Sequence, residues 1–357
     1  METKTRALIR ALARDHRLAL EDYEHLLVHR DPEAAALLAE EARAARETVY
    51  GRDVYIRGLI EISNICKNDC LYCGIRGSNA NCERYRLTPA DILACCEEGY
   101  ALGFRTFVLQ GGEDGAFTDE GLCPLIRQIK ARYPGCAVTL SLGERSRESY
   151  QALYDAGADR YLLRHETADE AHYQSLHPPA MSFARRMDCL RDLKEIGYQV
   201  GCGFMVASPG QTPALLAKDL KFIETFQPDM CGVGPFIPHR DTPFRACPPG
   251  SVELTCYLLS LIRLISPSIL LPATTALGTI HPTGRELGVL AGANVVMPNL
   301  SPPATRAKYA LYDNKLATGA ESAQHLAELD QRMRAVGCRI VSHRGDRRKD
   351  SNGEGRP

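Results

Sequence analysis

Neither sign of charge is in excess in this 357-residue chain: 43 Lys and Arg stand against 44 Asp and Glu, a net charge of −1. Phosphate backbones and anionic bilayers are held by clustered, uncompensated cations, so this parity argues against a nucleic-acid or membrane-surface protein. Long apolar runs are missing as well. No stretch approaches the ~18 residues of a membrane span, and the opening Met1-Glu-Thr-Lys-Thr-Arg-Ala enters a charged helical pattern without a signal peptide's apolar core. The expectation is a soluble, intracellular, cytoplasmic chain. No Pro- or Ser-rich linker interrupts it, and no repeat is visible beyond an alternation of β-like and helical segments. An apolar content of 45% with 24% charged residues is ordinary globular composition, which permits a large core.

Cysteine, by contrast, is plentiful, at 14 residues. In an unexported chain most of these should be reduced thiols. Cys136, Cys202 and Cys231 in strand-like runs, and Cys189 and Cys256 in helix-like ones, read as small buried side chains.

Residues 6–48 read as helical in two pieces, broken at His29-Arg30-Asp31-Pro32, where Asp31 can cap a helix beginning at Pro32. A different rhythm starts at residue 54. Eight β-rich runs (Val54–Ile62, Thr106–Gln110, Ala137–Leu142, Arg160–Leu163, Gln199–Val206, Met230–Val233, Ile269–Ala273 and Asn294–Met297) alternate with amphipathic helical stretches. Thr88-Pro89-Ala90-Asp91 and Thr212-Pro213 announce helix starts; Gly103, Gly157 and Gly197 mark helix ends. The expected class is α/β, a TIM-type (β/α)8 barrel. An open doubly wound sheet is disfavoured because no G-x-G-x-x-G follows the first strand. The expected division is an N-terminal helical extension over 1–50, the barrel with its C-terminal helices over 51–343, and a polar, apolar-free, disordered tail over 344–357.

Directly after the first strand comes Cys66-x3-Cys70-x2-Cys73, three thiols in one short loop. Zinc prefers four closed tetrahedral ligands; Cys82 is a conceivable fourth, but no second CxxC accompanies the triad. Low-potential iron–sulfur clusters normally take four Cys. Three leave one iron open, able to chelate the amino and carboxylate groups of S-adenosylmethionine (SAM). An electron passed into the sulfonium then releases a 5′-deoxyadenosyl radical, chemistry that belongs to the cofactor while the protein orients it. The C-terminal end of a barrel's first strand is where such a cofactor would face the other loops. Tyr72, beside the last Cys, is placed to pack near adenine. Structural zinc and a plain electron-transfer cluster are the alternatives.

Cys66-x3-Cys70-x-Tyr72-Cys73 resembles the signature of the radical SAM superfamily, and Gln110-Gly111-Gly112-Glu113-Asp114 is similar to its glycine-rich stretch at the methionine amino group. Four longer strings, Thr139–Glu144, Tyr161–Thr167, Gly234–His239 and Pro272–Thr279, resemble more narrowly the HydE family of FeFe-hydrogenase maturases, over about residues 54–315. The resemblance implies one 4Fe–4S cluster on the triad, with SAM as cofactor. Relatives carrying a second cluster have three further Cys after the eighth strand; residues 305–337 here have none. It implies an organometallic iron–cysteine substrate bearing CO and cyanide, supplied by HydG, with HydF as acceptor and an electron donor as a further partner. Methylornithine or biotin synthase-like chemistry on a small organic substrate is the enzymatic alternative, and a non-catalytic iron–sulfur or zinc protein the other.

Polar residues interrupt these strings at strand ends. Thr139 and Ser141 alternate with Leu140 and Leu142, so both hydroxyls face one way. By resemblance Ser141 faces the substrate, and Thr139 and Gln110 lie in the pocket. Arg164 and Glu166 read either as a structural ion pair or as anchors for the aminocarboxylate and ribose of SAM; family likeness assigns Glu166 and Arg186, rather than Arg185, to SAM. His165 reads as a satisfied hydrogen-bonding residue. Thr274 and Thr275 can hold an anion through hydroxyls and backbone N–H groups. Tyr309 and Tyr312, three apart on an expected short helix, present one aromatic face, which the resemblance lays over the adenosyl group.

Overall fold

In a computed structural model that describes residues 1–316 and 319–348, side chains alternate inward and outward along short parallel strands. Three helices come first: α1 (Thr3–Asp15), α2 (Leu20–Val28) and α3 (Pro32–Tyr50). The expected two-piece helical region is thus three helices, because His16 turns left-handed (φ 56°) at the end of α1. The expected break before Pro32 is present, with Asp31 Oδ1 accepting from the Ala34 amide at 2.8 Å.

The single strand expected over Val54–Ile62 is two, β1 (Asp53–Ile56) and β2 (Gly58–Ser63). After α4 (Pro89–Ala101), β3 (Thr106–Gly111) pairs with β2, whereas β1 pairs with strands from the far end of the chain. The chain changes partners at Arg57, and that is why it breaks there. The alternation continues through α5 (Asp119–Arg132), β4 (Ala137–Ser141), α6 (Arg147–Asp155), β5 (Arg160–Leu162), α7 (Glu170–Leu176) and α8 (Phe183–Ile196). It goes on with β6 (Gln199–Cys202), β7 (Met205–Val206), α9 (Pro213–Phe226), β8 (Met230–Cys231), β9 (Gly234–Pro235) and α10 (Val252–Ile265). The last elements are α11 (Thr275–Ile280), α12 (Gly284–Leu290), β10 (Val295–Val296), α13 (Pro303–Arg306), α14 (Leu326–Ala335) and β11 (Arg339–Val341).

β2, β3, β4, β5, β6 and β8 form a six-stranded parallel sheet in that order. Single parallel bridges complete the ring, Met230 to Leu270, Pro272 to Val295 and Leu59 to Asn299, while β10 pairs with β1. The expected (β/α)8 barrel is the architecture, with its seventh strand reduced to those bridging residues. Outward residues such as Ile60, Leu109, Leu140 and Val200 build the large core against the helices. Tyr55, Met230, Leu270 and Val295 form a separate small cluster with Tyr50. No helix among the described residues is long and apolar enough to cross a membrane.

Part of the expected disordered tail is ordered. Residues 344–348 lie across the N-terminal ends of the strands, and residues 349–357 fall outside the described residues. The Arg344 carbonyl accepts from Thr106 Oγ1 (2.8 Å) and Arg160 Nη2 (2.9 Å), and its guanidinium reaches Asp159 at 2.7 Å. Asp346 accepts from Arg160 Nη2 at 2.6 Å and from Gln199 Nε2 at 2.9 Å. Composition gave no hint of this, because the stretch is held by ion pairs with buried strand residues and not by apolar contact. Burial works against the Asp346 charge, but Arg160 outweighs it and holds the carboxyl at about 2.

A carboxyl so depressed contributes stability above its unfolded value of ~4 and loses it as pH falls toward about 2. Asp346→Asn should therefore lower the unfolding free energy by about 1–2 kcal/mol at pH 7, less than a fully buried pair would lose because Asp346 is partly solvated. The deficit should shrink from pH ~4 downward. Urea denaturation across that range checks it; an unchanged midpoint at pH 7 would show that the segment does not brace the barrel.

Candidate active site at the cysteine loop

The chain between β2 and α4 has almost no regular structure, so side chains must satisfy its backbone. Arg84 does most of this, donating to the carbonyls of Asn64, Ile75, Arg76 and Asn79. Asn64 Nδ2 donates to the carbonyls of Glu83 (2.8 Å) and Lys308 (2.7 Å), while its Oδ1 accepts from the Tyr85 amide (2.8 Å). Asn79 Nδ2 holds the Gly74 carbonyl at 2.7 Å. Neither Arg84 nor Asn64 was marked by any motif, since a guanidinium serving carbonyls has no fixed spacing in sequence.

Cys66, Cys70 and Cys73 are half-buried on this loop. Among the described residues, no three of these and Cys82 bring their sulfurs within 4.8 Å of one another. Burial pushes all three thiols up, Cys73 to about 12, and at Cys70 and Cys73 neighbouring sulfurs add to the rise. Thiolates form there only against a positive charge, which bound iron provides. Cys82 faces a surface cleft with His239, Asp241 and Lys308, its sulfur 3.5 Å from Asn64 Nδ2.

The glycine-rich end of β3 presses on the loop. A Cβ at Gly112 would lie 2.3 Å from the Ile65 carbonyl oxygen and 2.7 Å from Cys66 Cβ, so only glycine fits. The Glu113 amide points to Cys66 Sγ at 3.4 Å, and its carboxylate is held by Lys67 (3.2 Å) and the Glu144 amide (2.9 Å). Gly111 pairs with Ser63 at the top of β2.

Register brings Glu61, Gln110 and Ser141 side by side on β2, β3 and β4. All three point into the ring, since their neighbours Ile60, Ile62, Leu109 and Leu140 belong to the outer core. Gln110 Nε2 donates to Tyr309 Oη at 3.4 Å. Tyr309 and Tyr312 are not on a helix, because α13 stops at Arg306; Tyr309 is nonetheless buried. Tyr72 Oη meets His177 Nε2 at 3.1 Å, and burial holds that imidazole neutral, down to about 4.

Arg186 lies on the buried face of α8; its Nε donates to Glu144 Oε1 and its Nη1 to the Arg164 carbonyl, each at 2.6 Å. Arg185 turns away to the Arg145 carbonyl. Glu144, quoted only as part of a string above, is thus the partner of Arg186. Glu166 occupies a left-handed conformation (φ 65°), a backbone state that non-glycine residues adopt mainly where function or packing imposes it. His165 is fully buried between Asp219 Oδ1 (3.4 Å) and the Gly203 amide, which donates to its Nδ1 at 3.2 Å. The Thr139 and Thr274 hydroxyls and Glu166 Oε2 are buried without a hydrogen-bond partner. Thr275 Oγ1 accepts from Arg285 Nη2 at 3.3 Å. The Arg164 guanidinium lies against Gly232, whose Cβ, if present, would touch it at 3.7 Å.

A model of the radical SAM superfamily matches residues 60–223. The [FeFe] hydrogenase maturase subunit HydE of Thermotoga maritima is 47% identical over 284 residues, 80% of each chain. This chain belongs to the HydE family of radical SAM enzymes. More distant is the 3-methylornithine synthase of Methanosarcina acetivorans, 28% identical over 321 residues, 89% of this chain and 87% of its own. A crystal structure of methylornithine synthase superposes with a TM-score of 0.78 at 25% identity, covering 94% of this chain and 97% of that one. For a HydE-family member the cofactors are a 4Fe–4S cluster and SAM, and the donor set fits them. Three thiols sit on one loop, glycine permits close approach beside it, and unpartnered polar atoms line the neighbouring strand ends.

Gly112→Ala is expected to cut the iron bound after anaerobic reconstitution by about half or more, since the methyl group forces Ile65 and Cys66 apart, while far-UV circular dichroism stays unchanged. Full iron content in the variant would mean that this contact does not shape the loop.

Proposed function

We propose that this enzyme acts on an organometallic iron–cysteine precursor carrying CO and cyanide, in assembly of the diiron subcluster of FeFe hydrogenase. The observation that carries the reading is the set of buried, unpartnered polar groups in and beside the barrel. These are the Thr139 and Thr274 hydroxyls and Glu166 Oε2. A buried polar group needs a partner: in this reading Glu166 and Thr139 find theirs in SAM, and the Thr274 hydroxyl is left to donate to an anionic ligand of the precursor. Membership of a family with a maturase relative supports the same assignment.

A single cluster on Cys66, Cys70 and Cys73, with SAM bound to it, supplies a 5′-deoxyadenosyl radical. In this reading Gly111, Gly112 and Glu113 present backbone to the methionine amino group, and Glu166, Arg164 and Arg186 orient the aminocarboxylate and ribose. Gln110, Thr139 and Tyr72 enclose the nucleoside, and Tyr309 covers it. Ser141, Thr274 and Thr275 hold the precursor, the threonines as hydrogen-bond donors to its anionic ligands. HydG is the supplier of the precursor, HydF the acceptor of the product, an electron donor reduces the cluster, and the compartment is the cytoplasm.

Cys66→Ala, Cys70→Ala and Cys73→Ala should each abolish anaerobic SAM cleavage, and Cys82→Ala should not; loss with Cys82→Ala would mean a different ligand set. Arg186→Ala should weaken SAM binding with iron content intact. The substrate assignment is tested by 5′-deoxyadenosine formation with and without the HydG product. Stimulation by that product supports it, whereas stimulation only by a small amino acid would favour the methylornithine synthase-like reaction.

A further inference from the structure

Glu61 is the one charge in the apolar run Leu59–Ile62, it is completely buried, and no role has yet been given to it. It stands beside Gln110 in the inward-facing layer at the top of the barrel. Its two oxygens are both engaged: Lys315 Nζ donates to Oε1 at 2.6 Å and Asn299 Nδ2 to Oε2 at 2.8 Å. The Lys315 side chain is 9% exposed, so this is an ion pair taken out of water at both ends.

Lys315 ends an irregular stretch, residues 308–315, that runs over the barrel mouth. The Lys308 carbonyl accepts from Asn64 Nδ2 (2.7 Å), the Leu311 carbonyl from the Gly74 amide (2.8 Å), and the Asp313 amide donates to the Pro238 carbonyl (3.1 Å). The stretch is thus tied to the cysteine loop at one side and to the loop after β9 at another. Within it Tyr309 reaches Gln110 from above, and the Lys315 ammonium lies 5.1 Å from the centre of the Tyr309 ring. One carboxylate therefore fixes the far end of the stretch, while the cation it holds packs on the aromatic ring that faces the pocket.

We infer that Glu61 and Lys315 are positioning residues: their ion pair fastens residues 308–315 across the mouth and holds Tyr309 over bound SAM. Breaking a buried pair by neutralising one member leaves the other charge uncompensated, so the stretch is released instead of relaxing in place. The inference rests on the assignment of Tyr309 as a cofactor contact, and it separates anchoring of the cover from building of the cluster.

The test uses reconstituted enzyme, with Lys315→Gln and Glu61→Gln as independent variants and Lys315→Arg as the conservative one. Amide hydrogen exchange is followed over residues 308–316, iron is counted, and SAM affinity is read from its effect on the paramagnetic resonance of the reduced cluster. Lys315→Gln and Glu61→Gln should each accelerate exchange in the stretch and weaken SAM binding about tenfold with full iron content. Lys315→Arg should restore most of the affinity. Exchange at the wild-type rate in both neutral variants overturns the inference, and so does faster exchange with unaltered SAM affinity. A wild-type enzyme whose cluster signal ignores SAM would overturn the assignment of the pocket instead, and exchange alone would still report whether the pair anchors the stretch.

Discussion

A strand in a closed parallel barrel has only two faces, and the chemistry at this site depends on which residues the pleat turns inward. Ile60, Leu109 and Leu140 go to the helices, and Glu61, Gln110 and Ser141 go to the interior one position later. A slip of one residue in any of these strands would exchange the two sets. It would bury charge against leucine, and the outer core makes that prohibitive. The apolar packing around the barrel thus fixes the polar layer inside it.

The cysteine loop faces the opposite problem. It has no ladder to satisfy its backbone, and it must hold three thiols apart without collapsing into a disulfide or a compact zinc site. Arg84 and Asn64 take the place of secondary structure there, and Gly112 lets the neighbouring strand end close on the loop from the side. Side-chain donors serving carbonyls make an irregular loop as fixed as a strand.

Much of this was legible in the residues. Cysteine spacing marked the loop, β-rich runs marked the strands, and the interrupted strand ends marked the interior polar groups. The burial of Arg186 in place of Arg185 is readable in hindsight too, since Arg186, Cys189, Leu190 and Leu193 share one helical face. What escaped depends on distant partners. Val54–Ile62 reads as one strand until β11 and β10 take its first half. Tyr309 and Tyr312 read as helical, but the carbonyls of Lys308 and Leu311 are drawn to Asn64 and Gly74 and are lost to any helix. Residues 344–348 carry no apolar side chain, so no pattern could place them under the barrel.

The pairing of β1 with β11 has a bearing on how the molecule is made. Val54 lies opposite Ile340, and Tyr50 Oη accepts from the Arg348 amide at 3.2 Å, so the two ends of the barrel chain meet at its base. On the ribosome, the first strand must wait until Arg339–Val341 has been made before its outer neighbour exists. Native closure is in consequence a late event of biosynthesis, and contacts of such long sequence separation are slow to form. Iron delivered to the nascent chain would meet an unfinished shell; delivery after release meets a finished one.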